Sequence, residues 1–196
     1  MQKYNKVAIT LHWLIAAAII GMFFMGWYMT DLPKKAPDQA AIDLFDWGIY
    51  TWQLGEPGSV RSFYFNLHKS LGITILALVA FRLYWRISHK PPAMLLSYKA
   101  WERKLATSTH HLFYTLMVLI PVSGIVMSIA SKYGLKWFGI KLASGLDNDP
   151  LRENFVEIHE ILGLVILALL ALHILGALKH AVIDKDGTLK RMSFFK

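Results

Sequence analysis

Eight histidines and no cysteine stand in a chain of 196 residues, and three of the histidines share one apolar stretch, EIHEILGLVILALLALHILGALKHA, at residues 157–181. An α-helix advances about 1.5 Å and about 100° per residue. Fourteen residues therefore carry His173 to within about 40° of the face of His159, about 21 Å along the axis. Seven more bring His180 close to the same line. A bilayer core is about 30 Å thick, so one helix face would offer an imidazole near each membrane surface. Ionisable side chains at that depth are costly and usually mark function. The plain alternative for this helix alone is two histidines hydrogen-bonded to neighbouring helices. The lack of cysteine excludes disulfides, thiolate iron–sulfur ligation, Cys-bound zinc and covalent haem attachment through C-x-x-C-H.

The elements that would position these residues are apolar runs. With 55% hydrophobic and 17% charged residues, the chain has runs near 7–29, 65–87, 110–130 and 157–181, each about the 20 residues that crossing takes. The expected fold is all-α: a polytopic membrane four-helix bundle, with residues 1–196 forming a single unit. Charge sets the expected orientation. One side holds Lys3, Lys6, Arg82, Arg86, Lys90, Lys99, Arg103, Lys104, Lys179, Lys185, Lys190, Arg191 and Lys196 against the acids Glu102, Asp184 and Asp186. The positive-inside rule puts that side, with the N- and C-termini, in the cytoplasm. The net charge of +8 then reads as a lipid-facing excess, with no nucleic-acid role. The first run is too long for a signal-peptide core and lacks a small-residue cleavage site, so it is expected to be retained.

Along the chain, His12 lies near the cytoplasmic end of the first span, with Gly21 and Gly26 deeper, where small residues admit a neighbour or a flat ligand. The outer connection 31–65, centred on AAIDLFDWGIYTWQ, reads as a short amphipathic segment on the membrane surface with interfacial aromatics. His68 and His159 each precede a glycine by four residues, Gly72 and Gly163. That repeat at matching depth suggests a planar group between helices. Arg82, fourteen residues beyond His68, falls on the same face near the inner surface. The loop 88–109 reads as solvated and lipid-contacting. His110 and His111 open the third span, and Pro121 should bend it.

Depth sorts the histidines. His68 and His159 are alone near the outer surface and pair with each other. On the inner side His12 and His173 lie within apolar helix, whereas His110, His111 and His180 sit at its mouth. Two bis-imidazole sites stacked across the membrane suit low-spin b-type haem that transfers electrons. Zinc or copper transport without haem stays open, although zinc prefers four protein ligands, or three with water.

The segments YNKVAITLHWL, HKSLGITILALVAFRLYWR, HHLFYTLMVLIPVSGIVMS and HEILGLVILALLALHILGALKHAVIDKDGTLKRM, in order over nearly the whole chain, resemble the bacterial cytochrome b561 family of four-helix, di-haem proteins. The resemblance implies two haem b groups, with His12 and His173 the inner axial ligands and His68 and His159 the outer ones. It also implies a multi-pass protein of the bacterial inner membrane that exchanges electrons with a quinone such as ubiquinone. Oxidation of superoxide at the outer side is the family's best-understood activity. This chain departs from the compact family form in its longer connection between the first two spans.

Arg82 and His180 are the candidates to bond a quinone carbonyl, with haem propionates an equal role for Arg82. Lys69, Arg61, Lys132 and Lys136 could draw an anion towards the outer haem. Three readings follow. The first is a stand-alone oxidoreductase of the superoxide:quinone type. The second is a haem b anchor subunit relaying electrons for a soluble dehydrogenase, hydrogenase or reductase. The third is the metal transporter. Membrane lipid and quinone are the expected partners, with a redox partner protein or a second copy of the chain beside them.

Overall fold

The computed structural model describes residues 2–95 and 97–194; Lys196, one of the basic residues counted above, lies outside the described residues. Four long helices, α1 (Lys6–Asp31), α2 (Val60–Ser88), α3 (Ala100–Ala130) and α4 (Asp149–Leu178), run up and down. Each is long and apolar enough to cross a membrane. Their starts follow from capping chemistry. The Asn5 side chain accepts from the Ala8 amide at 2.8 Å, Ser59 Oγ from the Ser62 amide at 3.2 Å and Asn148 Oδ1 from the Leu151 amide at 3.1 Å. Each satisfies one of the orphan donors of a first turn.

Three helices begin earlier than hydropathy predicts, α2 by five residues at Val60 and the next two by more. α3 starts at Ala100, inside the stretch expected to be a solvated loop. Its charged first turns are held by Glu102, which accepts from the Lys99 amide at 2.9 Å and from Lys179 Nζ at 3.0 Å. α4 starts at Asp149, before the apolar run. Hydropathy marks where a helix enters lipid, and caps mark where it begins.

Two hairpins close one end of the bundle. The connection expected to lie flat as an amphipathic segment is instead an antiparallel hairpin, β1 (Gln39–Asp43) with β2 (Thr51–Gly58). The physical reason is turn chemistry between alternating residues. Phe45, Asp46 and Gly48 take positive φ of 60°, 56° and 66°, and Asp43 Oδ2 accepts from the Gly48 amide at 2.8 Å. Tyr64, fully buried under it, accepts from the Phe45 amide at 2.7 Å and packs with Met25, Met29 and Ile42. The second hairpin, β3 (Leu135–Trp137) with β4 (Ile140–Ala143), folds onto α2. There the Phe138 amide donates to Ser70 Oγ at 2.9 Å and Trp137 Nε1 to Thr74 Oγ1 at 3.2 Å.

The opposite end gathers both termini. Arg191, 6% exposed, donates to the carbonyls of Gln2 at 3.1 Å and Ala93 at 2.7 Å. Trp13 Nε1 donates to the Met192 carbonyl at 2.8 Å. The closing arginine and methionine thus clasp the tail to the start of α1 and to the connection before α3.

Backbones approach most closely between consecutive helices, α1 with α2, α2 with α3 and α3 with α4. Ile15, Ile75, Val79, Leu116, Met117 and Ile166, drawn from all four helices, form a dry aliphatic layer at mid-height. Ile166 is the buried residue of α4. Leu164, Leu172 and Leu175 face outward at 61–65% exposure, as a lipid-contacting helix requires.

Candidate intramembrane metal centres

The aliphatic layer divides two levels of histidine. Towards the hairpins, His68 of α2 faces His159 of α4 with ring centroids 6.3 Å apart and planes at 71°. Towards the termini, His12 of α1 faces His173 of α4, also at 6.3 Å, with planes at 66°. A direct ring-to-ring hydrogen bond, about 2.9 Å between nitrogens, would bring the centroids closer than this. Two imidazole–metal bonds of about 2 Å each, with the ring radii added, fill the separation. Neither pair is therefore joined by a direct bond between its rings, although His159 is also bonded to the neighbouring helix α3.

Chemical context supports a metal-bound group that brings its own in-plane ligands. His68 Nδ1 is buried and has no hydrogen-bond partner among the described residues. No carboxylate or thiolate joins either pair: the one cluster of three His, Asp or Glu groups close enough to share an ion is His180, Asp184 and Asp186, among the described residues. Glycines make room beside the rings. A Cβ on Gly124 would come within 3.2 Å of His159 Cε1, and one on Gly26 within 3.8 Å of His68 Cε1. The glycines picked by spacing, Gly72 and Gly163, have other neighbours. Their nearest side-chain atoms are Met22 Cε at 3.9 Å and Phe23 Cε1 at 4.0 Å, both on α1. The residues present fit haem held by two imidazoles at each level.

The two levels differ in what stands behind the rings. His159 Nδ1 lies 3.0 Å from the Ile120 carbonyl and 3.0 Å from Ser123 Oγ on α3. A carbonyl only accepts, so Nδ1 carries the proton and Nε2 is left with its lone pair for a metal. His12 Nδ1 instead lies 3.2 Å from Arg82 Nη2. A guanidinium only donates, so here Nδ1 is the acceptor and Nε2 carries the proton. For His12 to hold a metal through Nε2, the proton would have to move to Nδ1 and the Arg82 contact would have to open.

His110, expected at the mouth of its helix, sits ten residues into α3 with its ring 6.2 Å from His173. The inner level therefore gathers three imidazoles, a fact hidden from hydropathy because the charged start of α3 did not read as helix. His111 points elsewhere, with Nδ1 bonded to the Thr107 carbonyl at 2.9 Å.

The remaining candidates separate. Arg82 is at the inner level, over the Tyr114 ring at 5.7 Å as well as beside His12. His180 is not brought to it. A π-helical turn, Lys179–Asp184, follows α4 and turns His180 towards Asp186 Oδ2 at 2.8 Å, Asp184 Oδ2 at 3.0 Å and the Tyr98 ring. At the hairpin end, Lys69 Nζ reaches the Gly134 carbonyl at 3.5 Å, with Lys136 on the same small hairpin. Lys132 lies over the Tyr133 ring at 5.3 Å. Arg61 plays a structural part. Its guanidinium donates to the carbonyls of Met29, Thr30 and Leu32 at 3.0, 3.1 and 2.6 Å, satisfying the open end of α1.

Four membrane-length helices with paired imidazoles at two depths define a class, the intramembrane b-type cytochromes. The family described as "Prokaryotic cytochrome b561" matches residues 3–194, and the chain belongs to it. "Cytochrome b561 homolog 2" of Escherichia coli K12 is 31% identical over 193 residues, covering 97% of this chain and 91% of that protein. "Cytochrome b561 homolog 1" of the same organism is 26% identical over 197 residues, covering 98% and 97%. "Probable superoxide oxidase CybB" of Yersinia pestis is 25% identical over 194 residues, covering 97% and 96%. The protein is thus a haem b-binding, multi-pass electron-transfer protein of the bacterial inner membrane.

Proposed function

We propose that the chain, as one unit over residues 1–196, holds two haem b groups and passes electrons from a periplasmic-side donor to the quinone pool. The termini then lie in the cytoplasm, which agrees with the basic excess at their end of the bundle. His68 and His159 would hold the group at the hairpin end, and His12 and His173 the one at the terminal end. The observation that carries this is the equal 6.3 Å separation of both imidazole pairs at opposite ends of α4. Bound between two imidazoles, haem b supplies a one-electron carrier with no open position at iron.

The chain's own residues supply the rest. Lys69, the residue after His68, and Lys136, whose charge acts on Lys69, place positive charge at the hairpin end, where an anionic donor would be attracted. Superoxide is the donor this arrangement favours, and the printed name of the Yersinia relative supports it. Superoxide loses one electron and leaves as dioxygen, and a quinone needs two electrons and two protons. Arg82, carrying donors only, is placed to bond a quinone carbonyl or a haem propionate at the inner level. The aliphatic layer keeps water from the space between the levels.

A second reading, a haem b anchor subunit docking a soluble redox partner, draws support from the first hairpin, whose tip exposes Trp47, Ile49 and Tyr50. The test is to purify the lone chain and measure its haem-to-protein ratio and reduced-minus-oxidised spectrum. Superoxide is then added with ubiquinone present. Two haems and superoxide-dependent reduction are expected. A colourless protein overturns the proposal, and a soluble protein that co-purifies tightly turns it into the anchor reading.

A further inference from the structure

Helix α3 offers no ligand to the outer centre, yet it makes the closest contacts behind His159. Ser123, 3% exposed, donates from Oγ to the Ile120 carbonyl at 2.7 Å. His159 Nδ1 sits 3.0 Å from both that carbonyl and Ser123 Oγ. The three groups close a triangle. The hydroxyl proton goes to the carbonyl, and the ring proton is shared between carbonyl and hydroxyl oxygen. Gly124, the next residue, lets the ring lie against the α3 backbone: any side chain there would begin 3.2 Å from Cε1 and 3.4 Å from Nδ1. His68, across the centre, has a buried Nδ1 with no partner among the described residues, so oriented support reaches this centre through His159.

We propose that Ser123 and the Ile120 carbonyl are positioning groups that fix the tautomer and raise the basicity of His159, so that α3 sets the reduction potential of the outer centre. This rests on the two-centre reading given above. Acceptors at the far nitrogen of a metal-bound imidazole raise its basicity. A more basic ligand favours the oxidised iron, so removing an acceptor should raise the potential.

The experiment is a spectroscopic redox titration of the haem-loaded wild type and of Ser123→Ala, Ser123→Cys and Gly124→Ala, with haem content and low-spin EPR g-values recorded alongside. The outer component is assigned by its loss in His159→Ala. In Ser123→Ala both haems are retained, and the outer oxidised-to-reduced ratio at fixed potential falls by up to about tenfold, about 59 mV for one electron. The inner component stays in place. Ser123→Cys, close in size and a weaker acceptor, falls between. Gly124→Ala, which favours helix, alters the outer g-values by turning the ring. Selective loss of the outer haem in Ser123→Ala also supports positioning, since Ser123 touches no other centre. An unmoved outer potential overturns the proposal, as does an equal shift of both components or loss of both haems. A wild type with fewer than two haems overturns the two-centre reading first, and that result is distinct from the others.

Discussion

The outer and inner centres share one helix and one ring separation but are built for different conditions. At the hairpin end, the uncharged Ile120 carbonyl and Ser123 hydroxyl hold His159 from behind, while Lys69 is drawn off to the Gly134 carbonyl. At the terminal end, three imidazoles share the space with Arg82, and Arg86 approaches the same Tyr114 ring. A ring bonded to a backbone carbonyl and a buried hydroxyl keeps its orientation as an electron passes. Cationic donors suit a place where a substrate gains charge and takes up protons. The asymmetry thus agrees with electron entry at the hairpin end and quinone chemistry at the terminal end.

The largest effects should come from the rings themselves. His68→Ala or His159→Ala should lower the haem-to-protein ratio from two to one with the inner spectrum intact, and His173→Ala should do the converse. The third inner imidazole makes the choice of partner a sharp test. Haem content should fall by half in His12→Ala and stay at two in His110→Ala. If His110→Ala empties the inner centre and His12→Ala does not, the inner pair is His110 with His173, and α1 is not a ligand helix.

Next in size is the cover over the outer end. Tyr64→Phe removes the oxygen that accepts from the Phe45 amide at 2.7 Å and leaves that amide unpaired in a part-buried place. A buried donor without a partner costs about 1–3 kcal/mol. Hydrogen exchange should accelerate over residues 42–52 while the amides near His12 keep their protection. Equal acceleration at both ends would show that the two ends do not behave as separate units.

Sequence reading found the four helices, the membrane and the family, because each depends on apolar length or on the type and depth of a residue, and it named two pairs of histidines whose rings lie 6.3 Å apart. It missed what depends on hydrogen bonds to backbone. The first hairpin was hidden because its turn rests on three positive-φ residues, two of them Phe45 and Asp46, which composition does not announce. Arg61 read as a steering charge, and only the open carbonyls of Met29, Thr30 and Leu32 reveal its structural part. His110 read as a mouth residue because helix α3 starts in charged sequence. His180 read as a neighbour of Arg82 by helical phase, and the π-helical turn takes it out of phase. Ser123 had one legible signal, a hydroxyl residue two positions after Pro121 within an apolar helix. Spacing alone cannot say that His159 lies opposite it.

A smaller effect should follow from Arg82→Gln. The guanidinium places a positive charge beside His12, which favours the reduced, more negative state of whatever that ring holds. At an effective dielectric of about 20 and a distance of several ångströms, the interaction is on the order of 1–2 kcal/mol. Redox titration should show the inner component shifted to lower potential and the outer one unmoved, with both haems retained. Slower quinone reduction with an unchanged inner potential would instead make Arg82 a substrate contact alone.

The smallest effect lies at the clasp beneath the inner centre. Burial alone pushes the Asp186 carboxyl up, but hydrogen bonds from the Thr188 hydroxyl and amide and from His180 outweigh it, holding the group below its ordinary 3.8. A carboxyl depressed in the folded state stabilises fully above that ordinary value. The contribution is lost as pH falls through the lower folded one. Asp186→Asn should therefore lower the melting temperature near neutral pH by about 2–4 °C, the shift expected for about 1 kcal/mol in a chain of this size. The gap between variant and wild type should close as the pH drops below the carboxylate range. Because the clasp meets α1 through Trp13, the residue after His12, any spectral change in Asp186→Asn should be confined to the inner component. A shifted outer component would show that the two centres are coupled through α4, and the contrast between one end held by uncharged groups and one set beside a cation would have to be given up.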